Sequence, residues 1–141
     1  MTFAITDDAV AALVDDIRLY GQRGVESGAW LLAGSQDRNQ VVSAKALSRL
    51  FEWAADDDLV VVAQVHSHLF SAFMSEADSR FGFRAEGFVS SIVPNAREAP
   101  PSPAGWGWWV LAGGAWHAGT PALVTPGSAQ IVWFDEDGVR D

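Results

Sequence analysis

Val10, Leu13, Val14, Ile17 and Tyr20 recur every three to four positions, the period that places side chains on one face of an α-helix. The pattern predicts a helix over residues 7–20 that covers a core. Thr6 stands at its cap, Asp7 and Asp8 lie where the first-turn amides favour acids, and Gly21 and Gly24 end it. Shorter apolar runs follow and read as strands. Residues 27–34 form one, stopped by the polar stretch 34–39 and paired in a hairpin with 41–47. Residues 59–66, Leu-Val-Val-Val-Ala-Gln-Val-His, are nearly continuous in apolar character and predict a central strand covered on both faces. Ser75 reads as the cap of a short helix reaching about Phe83, and Phe88 to Val93 as another strand.

Pro100, Pro101 and Pro103 make 96–105 a surface loop, or a mobile lid. A tryptophan-rich hairpin then turns at Gly113-Gly114, with both faces of residues 106–111 apolar and expected to be covered. A last strand at 129–134 precedes an acidic tail, 135–141. This order of helix, strands, short helix and strands predicts an α+β fold, a mixed sheet flanked by helices. At 141 residues the chain fits a single domain, 1–141.

Composition narrows the function. The net charge of −9, with nine cations scattered along the chain, excludes the clustered positive surface that nucleic acid requires. The chain has no cysteine, so disulfides, thiolate ligands and thiol nucleophiles are excluded, and any metal must be held by nitrogen and oxygen. The apolar runs fall short of the roughly 18 residues of a membrane span, and the first residues carry no cationic leader. The expectation is a cytoplasmic protein without a membrane partner. Most of the seven tryptophans should fill a core.

The candidate chemistry follows the central strand. His66 and His68, two residues apart, share a face of an extended chain, and Ser75 and Asp78 share a face if a helix begins there. Two imidazoles and a carboxylate can bind a divalent metal. Asp56-Asp57-Asp58 lacks the alternation and glycine turn of a calcium loop and reads as solvated. His117 reads as a strand-end residue.

His66-x-His68, six residues, and Ser75-x-x-Asp78 resemble the signature of the JAMM (MPN-domain, prokaryotic JAB-type) zinc metalloproteases. Residues 26–34, beginning at Glu26, look like that family's opening strand, and residues 88–95 are similar to the strand after its metal helix. The resemblance covers residues 6–95. It implies an MPN/JAB-like (cytidine-deaminase-like) domain with a mainly antiparallel sheet. It also implies Zn2+ held by His66, His68 and Asp78 with water in the fourth position, Glu26 as general base and then acid, and Ser75 helping to stabilise the oxyanion. The implied substrate is the amide bond after the C-terminal tail of a ubiquitin-like or sulfur-carrier protein. The alternative is an inactive MPN-type scaffold that binds such a partner. Two departures stand out: Leu69 and Met74 occupy places where the family usually has proline, and six residues, not seven, separate His68 from Ser75. The loop entering the helix should therefore differ in shape. The sequence does not fix the oligomeric state.

Overall fold

The computed structural model describes residues 4–34, 40–42, 54–81, 84–129, 133–135 and 138–140. Strand β1 (Ala4–Thr6) leads directly into helix α1 (Asp7–Gly21), followed by β2 (Gly28–Gly34), β3 (Gln40–Val42) and β4 (Leu59–Ser67). A short helix, Glu76–Phe81, called the site helix below, separates β4 from β5 (Val89–Val93). Then come β6 (Gly107–Ala112), β7 (Ala115–Ala118), β8 (Leu123–Thr125), β9 (Trp133–Asp135) and β10 (Gly138–Arg140).

Six strands form the main sheet in the order β3-β2-β4-β5-β6-β7. Among its described pairings only β4 with β5 is parallel. A parallel pair cannot be joined by a tight hairpin and needs a crossover. Here the crossover carries residues 68–88, and with them the site helix. Ligand sites in sheets with parallel strands gather beyond the strands' carboxyl ends, and β4 delivers its histidines there.

Alternation along β4 sorts the two faces. Ala63 and Val65 join Val10, Leu13, Val14 and Ile17 of α1 in one buried cluster with Ala29, Leu31, Trp106 and Trp108. The alternate residues of β4, including His66, point to the opposite face. Burying each of the large aliphatic side chains of α1 contributes about 1.5–3 kcal/mol, so the helix stripe read from the sequence is what fixes it to the sheet. Gly113 and Gly114 both adopt positive φ (59° and 77°), as a two-residue hairpin turn requires.

Four expectations change. The loop 96–105 stays at the surface, with Arg97, Glu98, Pro101, Ser102, Ala104 and Gly105 exposed, but it is anchored to the core rather than free as a lid. It contains 3-10 turns at Ala96–Glu98 and Pro103–Gly105, and Ala96, Ala99 and Pro103 are fully buried. The Arg18 guanidinium donates to Ala99 O (2.6 and 3.1 Å), and the Trp106 and Trp108 indoles donate to Pro100 O and Pro103 O (2.9 and 2.8 Å). Carbonyls of this stretch that lack ladder partners are thus satisfied by long side chains, which anchors the segment at its three buried residues. Second, β4 is not covered throughout, since Val60 is 43% exposed, and Trp109 and Val110 of β6 are only half-buried. Third, the tail is not merely acidic coil, because β10 pairs antiparallel with β9. The last strand is observed at 133–135, with Ala129 outside it and 130–132 outside the described residues. Fourth, β1 pairs in parallel with β8, an association the sequence reading did not contain.

Thr6 takes the extended conformation of a cap but makes no side-chain cap bond. Asp8 serves instead, accepting from the amides of Ala9 (2.8 Å) and Ala129 (2.8 Å). Strand β3 pairs with β2 as a hairpin partner should, while 35–39 and 43–47 lie outside the described residues, as do 82 and 83 at the expected end of the site helix.

Candidate metal centre

The end of β4 is fixed from both sides. Gly28 of β2 lies opposite His66, and His66 pairs with Ile92 of β5. The β5 pairing continues beyond the strand: His68 N donates to Val93 O (2.9 Å), Ala96 N to His68 O (3.0 Å) and Asn95 N to Phe70 O (2.6 Å). His68 is therefore held by backbone bonds although it lies past the strand's end. A β-carbon on Gly28 would stand 2.5 Å from Val65 O, so only glycine lets β2 pass this close beside the first histidine.

The site helix brings the third ligand. Ser75 and Asp78 form a reciprocal cap: Asp78 N donates to Ser75 Oγ (3.0 Å), while Ser75 N and Ser75 Oγ donate to Asp78 Oδ2 (3.1 and 2.5 Å). This satisfies first-turn amides and aims the carboxylate at the strand end. Asp78 Oδ1 lies 3.1 Å from His66 Nε2, and Asp78 Oδ2 lies 3.3 Å from His68 Nε2. Among the described residues His66, His68 and Asp78 are the one group that could hold a metal, with donor atoms all within 4.8 Å of one another.

The donor set fits a divalent cation. His68 Nδ1 lies 3.1 Å from Ser71 O. Donation of the Nδ1 proton to that carbonyl assigns the tautomer that leaves Nε2 with its lone pair free. His66 Nε2 is buried without a hydrogen-bond partner. Lone pairs from two rings thus converge on a carboxylate, an arrangement that is unfavourable unless a proton or a cation lies among them. Ligands about 2.0–2.2 Å from a zinc stand within roughly 4 Å of one another, and the donor atoms here, all within 4.8 Å, are near enough to share one ion after small side-chain adjustment.

Electrostatics favours the same state. Burial lowers the His66 pKa below its ordinary 6.5, and His68 adds to the lowering against the opposing pull of Asp78 and Glu26. His66 is accordingly neutral at neutral pH and able to ligate. Burial works to raise the Asp78 pKa, but the Ser75 hydrogen bonds and the neighbouring His66 and His68 outweigh it and leave the carboxyl below its ordinary 3.8.

The structure places Glu26 near this group. Its carboxylate acts on the charge of His66, and the backbone of the next residue, Ser27, is bonded to Ser67 between the two histidines. Glu26 is exposed, as a group exchanging protons with substrate must be. Ser75 is beside the metal ligands as expected, but its hydroxyl proton is already directed to Asp78. His117 lies away on β7, its Nε2 3.1 Å from Ala112 O, and keeps its ordinary strand role. Asp56 and Asp57 are exposed and outside the metal group.

Sequence reasoning passed over Phe70 and Phe73. Phe73 stands edge-on to the His68 ring with centroids 5.0 Å apart, and the two phenylalanines are 55% (Phe73) and 75% (Phe70) exposed. An apolar residue in a loop gives no sequence signal of exposure; the signal was their place inside the shortened turn. Ser67, between the two ligands, was also passed over.

No protein-family model matches the chain. A curated relative, a probable metalloprotease of Sinorhizobium fredii, is 27% identical over 121 residues, spanning 70% of this chain and 75% of the relative. Among solved structures, a JAB1/MPN domain protein from Archaeoglobus fulgidus superposes with a TM-score of 0.58 at 17% identity, covering 88% of this chain and 98% of that one. A protein of Desulfitobacterium hafniense solved in solution gives a TM-score of 0.59 at 10% identity, covering 89% and 94%. The fold is therefore the JAB1/MPN fold, and the curated relative is a probable metalloprotease.

Proposed function

We propose, from the JAB1/MPN fold, the JAMM-like motif and a relative described as a probable metalloprotease, that this chain is a zinc-dependent peptidase or isopeptidase acting on the C-terminal tail of a ubiquitin-like or sulfur-carrier protein. The observation that carries the reading is the convergence of His66, His68 and Asp78 within 4.8 Å, with the Glu26 carboxylate close enough to act on His66.

His66 Nε2, His68 Nε2 and the Asp78 carboxylate would hold the ion. When bound there, zinc would supply Lewis acidity toward the amide carbonyl and would lower the pKa of a water toward about 7. Glu26 accepts a proton from the attacking water and returns it to the departing amine, so one carboxyl serves as base and then as acid. Ser75 orients the Asp78 carboxylate with its hydroxyl proton, and that proton has to turn from the carboxylate to serve a developing oxyanion. The exposed Phe70 and Phe73 give the substrate an apolar rim beside the ligands.

The test is incubation of zinc-loaded protein with ubiquitin-like and sulfur-carrier proteins extended beyond their terminal diglycine. Cleavage that is lost on chelation and in Glu26→Gln supports the reading. Purified protein that takes up no zinc sinks it before any substrate is tried. Zinc-independent binding of such partners without cleavage would point instead to the inactive scaffold.

A further inference from the structure

We propose that Ser67, the residue between the two histidines, is a positioning residue: its buried side chain clips the start of β2 to the end of β4 and so sets Glu26 relative to the metal ligands. The inference rests on the function proposed above.

Three observations carry it. First, Ser67 is fully buried and, by alternation, faces away from His66 and His68 toward the side of the sheet that α1 covers. Its side chain is therefore not available to ligand or substrate. Second, Ser27 N donates to Ser67 Oγ (2.9 Å) while Ser67 N donates to Ser27 O (2.8 Å). In a regular antiparallel ladder the Ser27 amide would be expected to bond to a backbone carbonyl. Here a hydroxyl takes that place, one residue before β2 begins at Gly28. The clip therefore fixes the chain where it leaves the ladder, and the next residue outward is Glu26. Third, the metal ligands have supports besides this bond. His66 is held by the β5 pairing, His68 by Val93, Ala96 and Ser71, and Asp78 by Ser75.

The ligands are thus braced by β5 and the site helix as well as by β2, whereas the Ser67 hydroxyl ties the residue next to the proton-transfer group. Removing the hydroxyl leaves the Ser27 amide without its acceptor, and the chain next to Glu26 is then held at this point by the Ser67 N–Ser27 O bond alone, which lets Glu26 shift. Displacing a reacting group by about 1 Å can cost roughly 100-fold in rate.

The experiment compares Ser67→Ala and Ser67→Thr with wild type, each alone and combined with Glu26→Gln. Ser67→Ala should lower kcat roughly 10- to 100-fold while KM and zinc stoichiometry stay unchanged, and Ser67→Thr should restore most of the rate. In the Glu26→Gln background Ser67→Ala should add nothing, because it acts through the missing group. Two NMR readouts accompany the kinetics: protection of the Ser27 amide from hydrogen exchange, and the response of the Glu26 carboxyl resonance to added zinc. Both should be present in wild type and Ser67→Thr and lost in Ser67→Ala. Should Ser67→Ala not fold, Ser67→Cys, which keeps the volume with a much weaker acceptor, takes its place. An undiminished rate, loss of zinc, or an equal further loss in the Glu26→Gln background would overturn the proposal. If wild type binds zinc and cleaves nothing, the peptidase reading fails, and the two NMR readouts still decide the role of Ser67.

Discussion

Two irregular segments leave adjacent ends of the parallel pair, and they handle apolar residues in opposite ways. Residues 96–105, after β5, bury Ala96, Ala99 and Pro103 completely, while residues 69–74, after β4, hold Phe70 and Phe73 in solvent. Both are pinned by backbone bonds. The first is bonded to α1 through the Arg18 guanidinium and to the indoles of Trp106, just before β6, and Trp108 of β6; the second is bonded to the stretch just after β5 through Phe70 O and Asn95 N. Exposure of the phenylalanines is thus not looseness. The first segment is tied to the core by three buried side chains and by carbonyls bonded to a guanidinium and two indoles; the second is fixed with its aromatic rings outward beside the candidate metal ligands.

That contrast can be broken at either segment. The largest effect belongs to the site. Asp78→Ala should leave the protein folded by circular dichroism, retain no zinc by elemental analysis, and lower kcat/KM by on the order of 10³ or more, about 4 kcal/mol. Retained zinc would show that the two histidines alone suffice. At the buried segment, Trp108→Ala should destabilise by about 3–5 kcal/mol in denaturant unfolding, with zinc stoichiometry per folded molecule intact. A loss below about 1 kcal/mol would mean that the prolines hold themselves in place.

Acidity gives a smaller effect with a defined sign. His66 has a folded pKa below its ordinary 6.5, so the unfolded chain binds the proton more readily. Its contribution to stability is full above about 6.5 and is lost as pH falls through the lower folded value. Asp78, also lowered, adds a second loss further into acid. Metal-free protein should therefore weaken in two acid steps, and His66→Gln should remove the upper one in a pH series of unfolding midpoints. The smallest effect on stability belongs to the exposed rings. Phe73→Ala and Phe70→Ala should change unfolding free energy by no more than about 0.5 kcal/mol, yet raise KM for a protein substrate severalfold while leaving zinc binding unchanged.

Periodicity made α1 legible because one face of it packs on a sheet and nothing else about it is unusual. The ligands were legible because period-two geometry and a helix cap place them with few other constraints: His66 and His68 on one face, Asp78 one turn from Ser75. The association of β1 with β8 was not legible, since three-residue strands carry too little pattern and their partners lie over a hundred residues apart. The proline segment misled for a physical reason: proline signals that ladder bonds are absent, and it says nothing of indoles and a guanidinium that supply bonds from elsewhere. Ser67 was hidden in plain view, because a side chain that replaces a backbone acceptor looks in sequence like any strand serine.

The six-residue site helix, Glu76–Phe81, is too short to persist by its own hydrogen bonds, since nucleating a helix costs more than one turn returns. Its first turn is closed by the carboxylate that also reaches the two histidines. Ordering this segment and assembling the ligand set are therefore a single cooperative event, and a cation bound at the strand end would act on local breathing as a staple acts on a fraying rope. Amide exchange in residues 75–81 should slow on zinc addition more than anywhere in α1, making the segment a reporter of occupancy that needs no substrate.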